Sequence, residues 1–243
     1  SFADKNAGAN KAVTVSGYTL AGLDAGNYVV TQPSGLTATI SKASLAVSGI
    51  AAVDKTYDAT TGAALSGTAA VAALGSDSVS VMGAGVGSFA DKNAGANKAV
   101  TVSGYTLAGL DAGNYVVTQP SGLTATISKA SLAVSGIAAV DKTYDATTGA
   151  ALSGTAAVAA LGSDSVSVTG AGVGSFADKN AGANKAVTVS GYTLSGTDAG
   201  NYVVTQPSGL TASISKASLA VSGIAAANKT YDATTGAALS GTA

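Results

Sequence analysis

Val100-Thr101-Val102-Ser103-Gly104-Tyr105-Thr106-Leu107 is the stretch on which the fold turns. Val100 and Val102 alternate with Thr101 and Ser103 at the two-residue period of a half-buried strand. Gly104 breaks the phase, so that Tyr105 and Leu107 take over the inward face, and a glycine at a phase change predicts a β-bulge. Further along, Leu123, Ala125 and Ile127 point inward in the same way, with Thr124, Thr126 and Ser128 outward. Between the two segments, Gln119-Pro120-Ser121-Gly122 carries Pro second and Gly fourth, the preference of a type I turn. That turn predicts a hairpin joining 115–118 to 123–127. Asp111-Ala112-Gly113-Asn114 and the segment 91–97 have the Asp, Asn and Gly density of longer connections. Thr155-Ala156-Ala157-Val158-Ala159-Ala160-Leu161 has room for a single helical turn, which Gly162-Ser163-Asp164 keeps short. Seven or eight short strands per unit are expected, the count of a β-sandwich.

The string that leads into this stretch, Ser88-Phe89-Ala90-Asp91-Lys92-Asn93-Ala94-Gly95-Ala96-Asn97-Lys98, also starts at Ser1 and at Ser175, a period of 87 residues. Solenoid repeats run about 20–50 residues and share one core, whereas about 90 residues can close a core of their own. Framed on Lys42, Lys129 and Lys216, the chain divides into the second half of a repeat at 1–42, complete repeats at 43–129 and 130–216, and the first part of another at 217–243. No Gly or Pro interrupts Thr124 to Val134, so one strand is expected to run directly into the next across a stiff junction. The expected architecture is all-β: a tandem array of β-sandwich-like domains with strand-to-strand junctions, forming an elongated rod.

Composition narrows the function. Hydrophobic residues make up 47% of the chain and charged residues 10%, too apolar for disorder, while 32 Gly break any long helix. No apolar run approaches the roughly 18 residues of a membrane span, so no membrane insertion is expected. All twelve cations are scattered Lys, and without a basic patch or Arg no nucleic-acid partner is expected. The absence of Cys removes disulfides and thiol metal sites and, together with the repetition, fits an extracellular bacterial protein.

Catalysis lacks its usual groups, since the chain has no His, Cys or Glu. Ser213-Ile214-Ser215-Lys216 matches Ser-x-x-Lys, but Thr39 and Thr126 stand at the positions equivalent to Ser213, and the segment has the pattern of a strand. Gly83-Ala84-Gly85-Val86-Gly87 lacks phosphate-loop spacing and is read as a strand edge. Asn228-Lys229-Thr230 forms a glycosylation sequon where the other units carry Asp54 and Asp141, so it is ascribed to drift. Asp54, Asp58, Asp77, Asp91 and Asp111 recur in turns without a calcium-ligand run, and they are expected to cap backbone amides. Catalytic, cofactor-binding and metal sites are all expected to be absent. Tyr57, Tyr105 and Tyr115 are expected in the core, against the alternative of an exposed binding strip. Met82, which exchanges with Thr169, is expected at an exposed or tolerant site.

Lys55-Thr56-Tyr57-Asp58, Phe89-Ala90-Asp91-Lys92-Asn93, Val100 to Leu107 and Asp111-Ala112-Gly113-Asn114-Tyr115 together resemble the YDG-type repeat domain. The resemblance covers the whole unit in the same motif order. It implies a tandem stalk domain of large secreted bacterial adhesins similar to filamentous haemagglutinin, without catalytic residues. One departure stands out: the Gly of Tyr-Asp-Gly is replaced by Ala59, Ala146 and Ala233, which are therefore expected at an ordinary backbone conformation.

The leading functional reading is a rigid extracellular stalk that projects a distal binding region. Its partners are the neighbouring repeats of the same chain. The runner-up is a unit that self-associates into a fibre or biofilm matrix filament, since low charge and near-identical units favour pairing between copies. A carbohydrate- or host-binding module is the weaker third. The fragments 1–42 and 217–243 expose apolar strand faces, and the partner of the strand at 36–40 is the observation that bears on stalk against fibre.

Overall fold

The computed structural model describes residues 1–243, and every regular element longer than one short 3₁₀ turn is a β-strand. The fold is all-β, repeated in tandem. Two compact units are present. The first comprises Ser1–Ala130, Leu161–Asp164 and Gly200–Val203, and the second Ser131–Ala160, Ser165–Ala199 and Val204–Ala243.

In the first unit, a five-stranded mixed sheet runs in the order Lys55–Thr56, Leu123–Ser128, Gly95–Ser103, Val86–Phe89, Gly62–Ala63. The long strand Gly95–Ser103 sits at its centre, antiparallel to both neighbours, while Lys55–Thr56 adds in parallel to Leu123–Ser128. Three two-stranded ladders complete the repeat: Ser48–Ala52 with Leu65–Ala70, Ser80–Met82 with Thr106–Ala108, and Ala43–Ala46 with Tyr115–Thr118. Eleven strands result, against the seven or eight expected, because the glycines cut long stretches into short pieces that change partners.

The alternation is realised as expected. Val100, Val102, Ala125 and Ile127 are buried, with Thr101, Ser103, Thr124 and Ser128 exposed. Tyr57, Tyr105 and Tyr115 join Phe89 in the core, while Met82 is 59% exposed. The second unit repeats the scheme. Ala150, Phe176, Val187, Val189, Ala212 and Ile214 of its sheet form one cluster, against which Ile137, Leu152, Val168 and Val204 of the ladders pack.

Several local expectations are corrected. Gly104 is not a bulge within one strand: the chain leaves the central sheet there at φ 93° and joins a different ladder. The bulge lies earlier in the same strand, between Gly95 and Lys98, where Asn97 takes φ 50°. The hairpin at 119–122 does not form, because Tyr115–Thr118 pairs in parallel with Ala43–Ala46 and Leu123–Ser128 goes to the central sheet. Gln119 instead clasps a strand end: Tyr105 N donates to its Oε1 at 3.1 Å and its Nε2 donates to Tyr105 O at 2.8 Å. No helical turn forms in 155–161; Leu152–Ala157 is a strand that pairs with Ser135–Ala139. Strands do not run unbroken across the junction either, since Lys129 separates Leu123–Ser128 from Ala130–Ala133 and the two belong to different sheets.

Ala59, Ala146 and Ala233 are not at an ordinary conformation: φ is 62°, 66° and 56°. Side-chain bonds hold this left-handed turn. Asp58 Oδ1 accepts from Thr60 N at 2.9 Å, and Lys55 Nζ donates to Asp58 at 2.8 Å and to Thr60 O at 2.9 Å. The ammonium also lies 5.6 Å from the centre of the Phe89 ring. Burial opposes the charge on Asp58, but Lys55 and Thr60 outweigh it and bring its pKa to about 2.

At the ends, Thr37–Ile40 pairs with Gly8–Ala12 of its own partial repeat, and Ile224–Ala226 pairs with Leu239–Gly241. No helix is long and apolar enough to cross a membrane.

Candidate functional site, the contact that joins repeats

The most completely built polar cluster centres on Asp164, whose side chain is fully enclosed. Its position follows from the loop Leu161-Gly162-Ser163-Asp164, where Gly162 takes φ 56° and turns the chain. Lys92 ion-pairs with Asp164 Oδ1. Tyr57 Oη donates to Oδ2 at 2.6 Å and Tyr202 Oη donates to the same oxygen at 2.7 Å. The two phenol rings meet edge to face at 5.3 Å, and Leu161 N donates to Tyr202 Oη at 3.0 Å.

Beside this cluster Asn201, only 5% exposed, accepts from Ala94 N at 2.8 Å and donates to Asn93 Oδ1 at 3.2 Å. All these residues belong to the first compact unit. Tyr57, Lys92 and Asn93 come from the repeat at 43–129, and Asp164, Asn201 and Tyr202 from the next repeat in sequence.

The electrostatics favour the charged form of Asp164. Burial works against the charge on Asp164, yet the Lys92 ammonium and the two phenols outweigh it and hold the carboxyl below its usual range. Burial and the neighbouring carboxylate push the Tyr202 phenol up to about 12. Tyr57 is raised for the same two reasons. An enclosed carboxylate held by three donors is a structural anchor.

Eighty-seven residues earlier the set recurs with one phenol in place of two. Lys5 pairs with Asp77 and lies 3.2 Å from Asp111, Tyr115 Oη donates to Asp77 at 2.7 Å, and Asn114 Oδ1 accepts from Ala7 N at 2.8 Å. Asp77 therefore ties repeats together.

The remaining turn aspartates cap amides, as Asp91 does for Asn93 N at 2.8 Å. Asp91 also pairs with Lys98 at 2.5 Å, and no three acidic side chains gather where they could hold a metal. Ser213 lies in the strand Leu210–Ser215 with Lys216 exposed just beyond it. Gly85 of the glycine run leaves room for an aromatic ring, since a Cβ there would stand 2.4 Å from Tyr105 Cζ.

The joining contact escaped the sequence pattern because its members lie 38, 72 and 107 residues apart. The available signal was the recurrence of Leu-Gly-Ser-Asp at 74–77 and 161–164.

Fold and contact together define a tandem array of all-β repeat domains in which Lys5 reaches Asp77 and Lys92 reaches Asp164 in the following repeat. A family model, the YDG domain, matches residues 1–35, 41–122 and 128–209. The chain belongs to the YDG domain family. No curated protein and no solved structure matches it.

Proposed function

We propose that the chain is a non-catalytic, rigid extracellular stalk of a bacterial surface adhesin, in which the number of repeats sets the reach. The observation that carries this reading is the recurrence of one joining contact at a fixed 87-residue offset, with Asp77 and Asp164 each held by the Lys of the preceding repeat. Joints built from equivalent residues propagate one geometry along an array. The five-stranded sheet also ends in strands of only two residues, Lys55–Thr56 and Gly62–Ala63, and such short edges discourage lateral pairing. Small-angle scattering on chains of increasing repeat number tests the proposal. The maximum dimension is expected to grow by an equal step per repeat, and compaction with added repeats would overturn it.

A self-associating fibre is the second reading. It is favoured by the low charge of the chain, 10% of its residues, which lowers repulsion between copies.

A further inference from the structure

The two oxygens of Asp164 are treated differently. Lys92 Nζ reaches Oδ1, while the Tyr57 and Tyr202 phenols both donate to Oδ2, at 2.6 and 2.7 Å. An amine thus faces one side of a carboxyl group whose far oxygen already has two hydrogen-bond donors. The same polarity recurs at Asp77, with Lys5 on Oδ1 and the Tyr115 phenol on Oδ2. There a second carboxylate, Asp111, stands 3.2 Å from the Lys5 ammonium, where it can take up a proton.

Enclosure sets these two pairs apart. The Asp164 side chain is 0% exposed and that of Asp77 13%, whereas Asp58, Asp91, Asp145 and Asp178, each paired with a Lys close by in sequence, are 51–53% exposed. An exposed pair stays ionic, because water solvates both charges and competes for the carboxyl carbon. An enclosed carboxylate carries a desolvation penalty that a neutral amide in the same place avoids. Amine and carboxyl are also held together by the fold, which replaces a chance encounter with a fixed one.

We infer that Lys92 and Asp164 become joined by an isopeptide bond, an amide between Lys92 Nζ and Asp164 Cγ that makes the joint covalent. A proton first passes from the ammonium to Oδ1, leaving an amine beside a carboxylic acid. The Nζ lone pair then attacks Cγ, and negative charge gathers on Oδ2, where the two phenols already point. As the carbonyl re-forms, the Cγ–Oδ1 bond breaks and Oδ1 leaves as water with two of the three ammonium protons, the third remaining as the amide N–H. No further reactant enters. Asp164 rests as a carboxylate, so the step runs through the minor neutral pair and is slow, which suffices for a bond made once per molecule. Once bonded, Asp164 no longer titrates, and its share of the pH dependence of melting belongs to the freshly folded chain alone. The inference rests on the reading of the Asp cluster as the joint between repeats.

Intact-mass measurement of the denatured 243-residue chain, on samples taken from folding onward over days, tests it. The chain is expected to become lighter than its sequence by one water, or by two where Lys5 and Asp77 react as well. A tryptic digest should yield a branched peptide that contains both Lys92 and Asp164. Lys92→Ala should abolish that peptide, and Tyr57→Phe combined with Tyr202→Phe should slow its appearance about tenfold or more, as loss of oxyanion donors does. A wild-type chain that keeps its full mass, or loses water without a branch between Lys92 and Asp164, overturns the cross-link whatever the variants do. The two claims separate: a full-mass chain whose melting is altered by Asp164→Ala removes the bond alone, whereas melting left unaltered by Asp164→Ala removes the joint itself.

Discussion

At the scale of single residues, the left-handed alanines are the clearest departure from what side-chain type prefers. Ala59 pays no side-chain entropy, but its Cβ crowds the following carbonyl at φ 62°. Lys55, Asp58 and Thr60 fix the turn regardless. Ala59→Gly should therefore stabilise the chain by about 0.5–1 kcal/mol, the net of relieved strain and the greater freedom of Gly in the unfolded state. Urea denaturation measures it, and a lower midpoint would mean that the methyl matters more to packing than to strain.

Asp164 and Tyr202 carry opposite pH signatures. The Asp164 pKa is depressed in the folded state, so its stabilisation is present above the unfolded value and lost as pH falls below about 4. The Tyr202 phenol is raised from 10.0 to about 12, so its contribution is complete below pH 10 and disappears as pH climbs from 10 to 12. Melting temperature against pH should be flat between these limbs. Tyr202→Phe should soften the alkaline limb and, by removing one of the donors that hold the Asp164 carboxyl down, shrink the acidic limb as well.

At the scale of elements, glycine and glutamine do what strand propensity cannot. Gly104 and Gly83 let two backbones approach, since a Cβ on either would stand 2.5 Å from a facing carbonyl oxygen. The chain can then leave one sheet and enter another within a residue. Gln119 finishes the exit by presenting an amide in place of a neighbouring strand to Tyr105, and Gln206 does the same for Tyr192 at 3.1 and 2.8 Å. Gln119→Ala would leave a part-buried N–H and C=O of Tyr105 without partners, at a cost of about 1–3 kcal/mol. Chemical denaturation reads the loss, and an unchanged midpoint would show that water replaces the amide freely.

At the scale of the whole molecule, the enclosed Asp164 couples what composition alone would leave as independent beads. Asp164→Ala removes the acceptor for Lys92, Tyr57 and Tyr202 together. The expected result is a calorimetric trace that splits into separate transitions, because repeats that no longer share a joint unfold one by one. A single sharp transition in that variant would place the coupling elsewhere.

Much of this protein was legible in one dimension. The 87-residue period, the all-β class and the inward placement of Val100, Val102, Ala125 and Ile127 follow from local alternation and direct repetition, which a sequence displays openly. Partner choice was not legible. Tyr115–Thr118 and Leu123–Ser128 look like a hairpin because they are close along the chain, yet each gains more by joining a distant edge, in parallel to Ala43–Ala46 and antiparallel to Gly95–Ser103. The joint was hidden for the same reason. Asp164, Lys92 and Tyr57 are ordinary polar residues in separate turns, and only folding, by removing water from around the carboxylate, makes their grouping energetically binding.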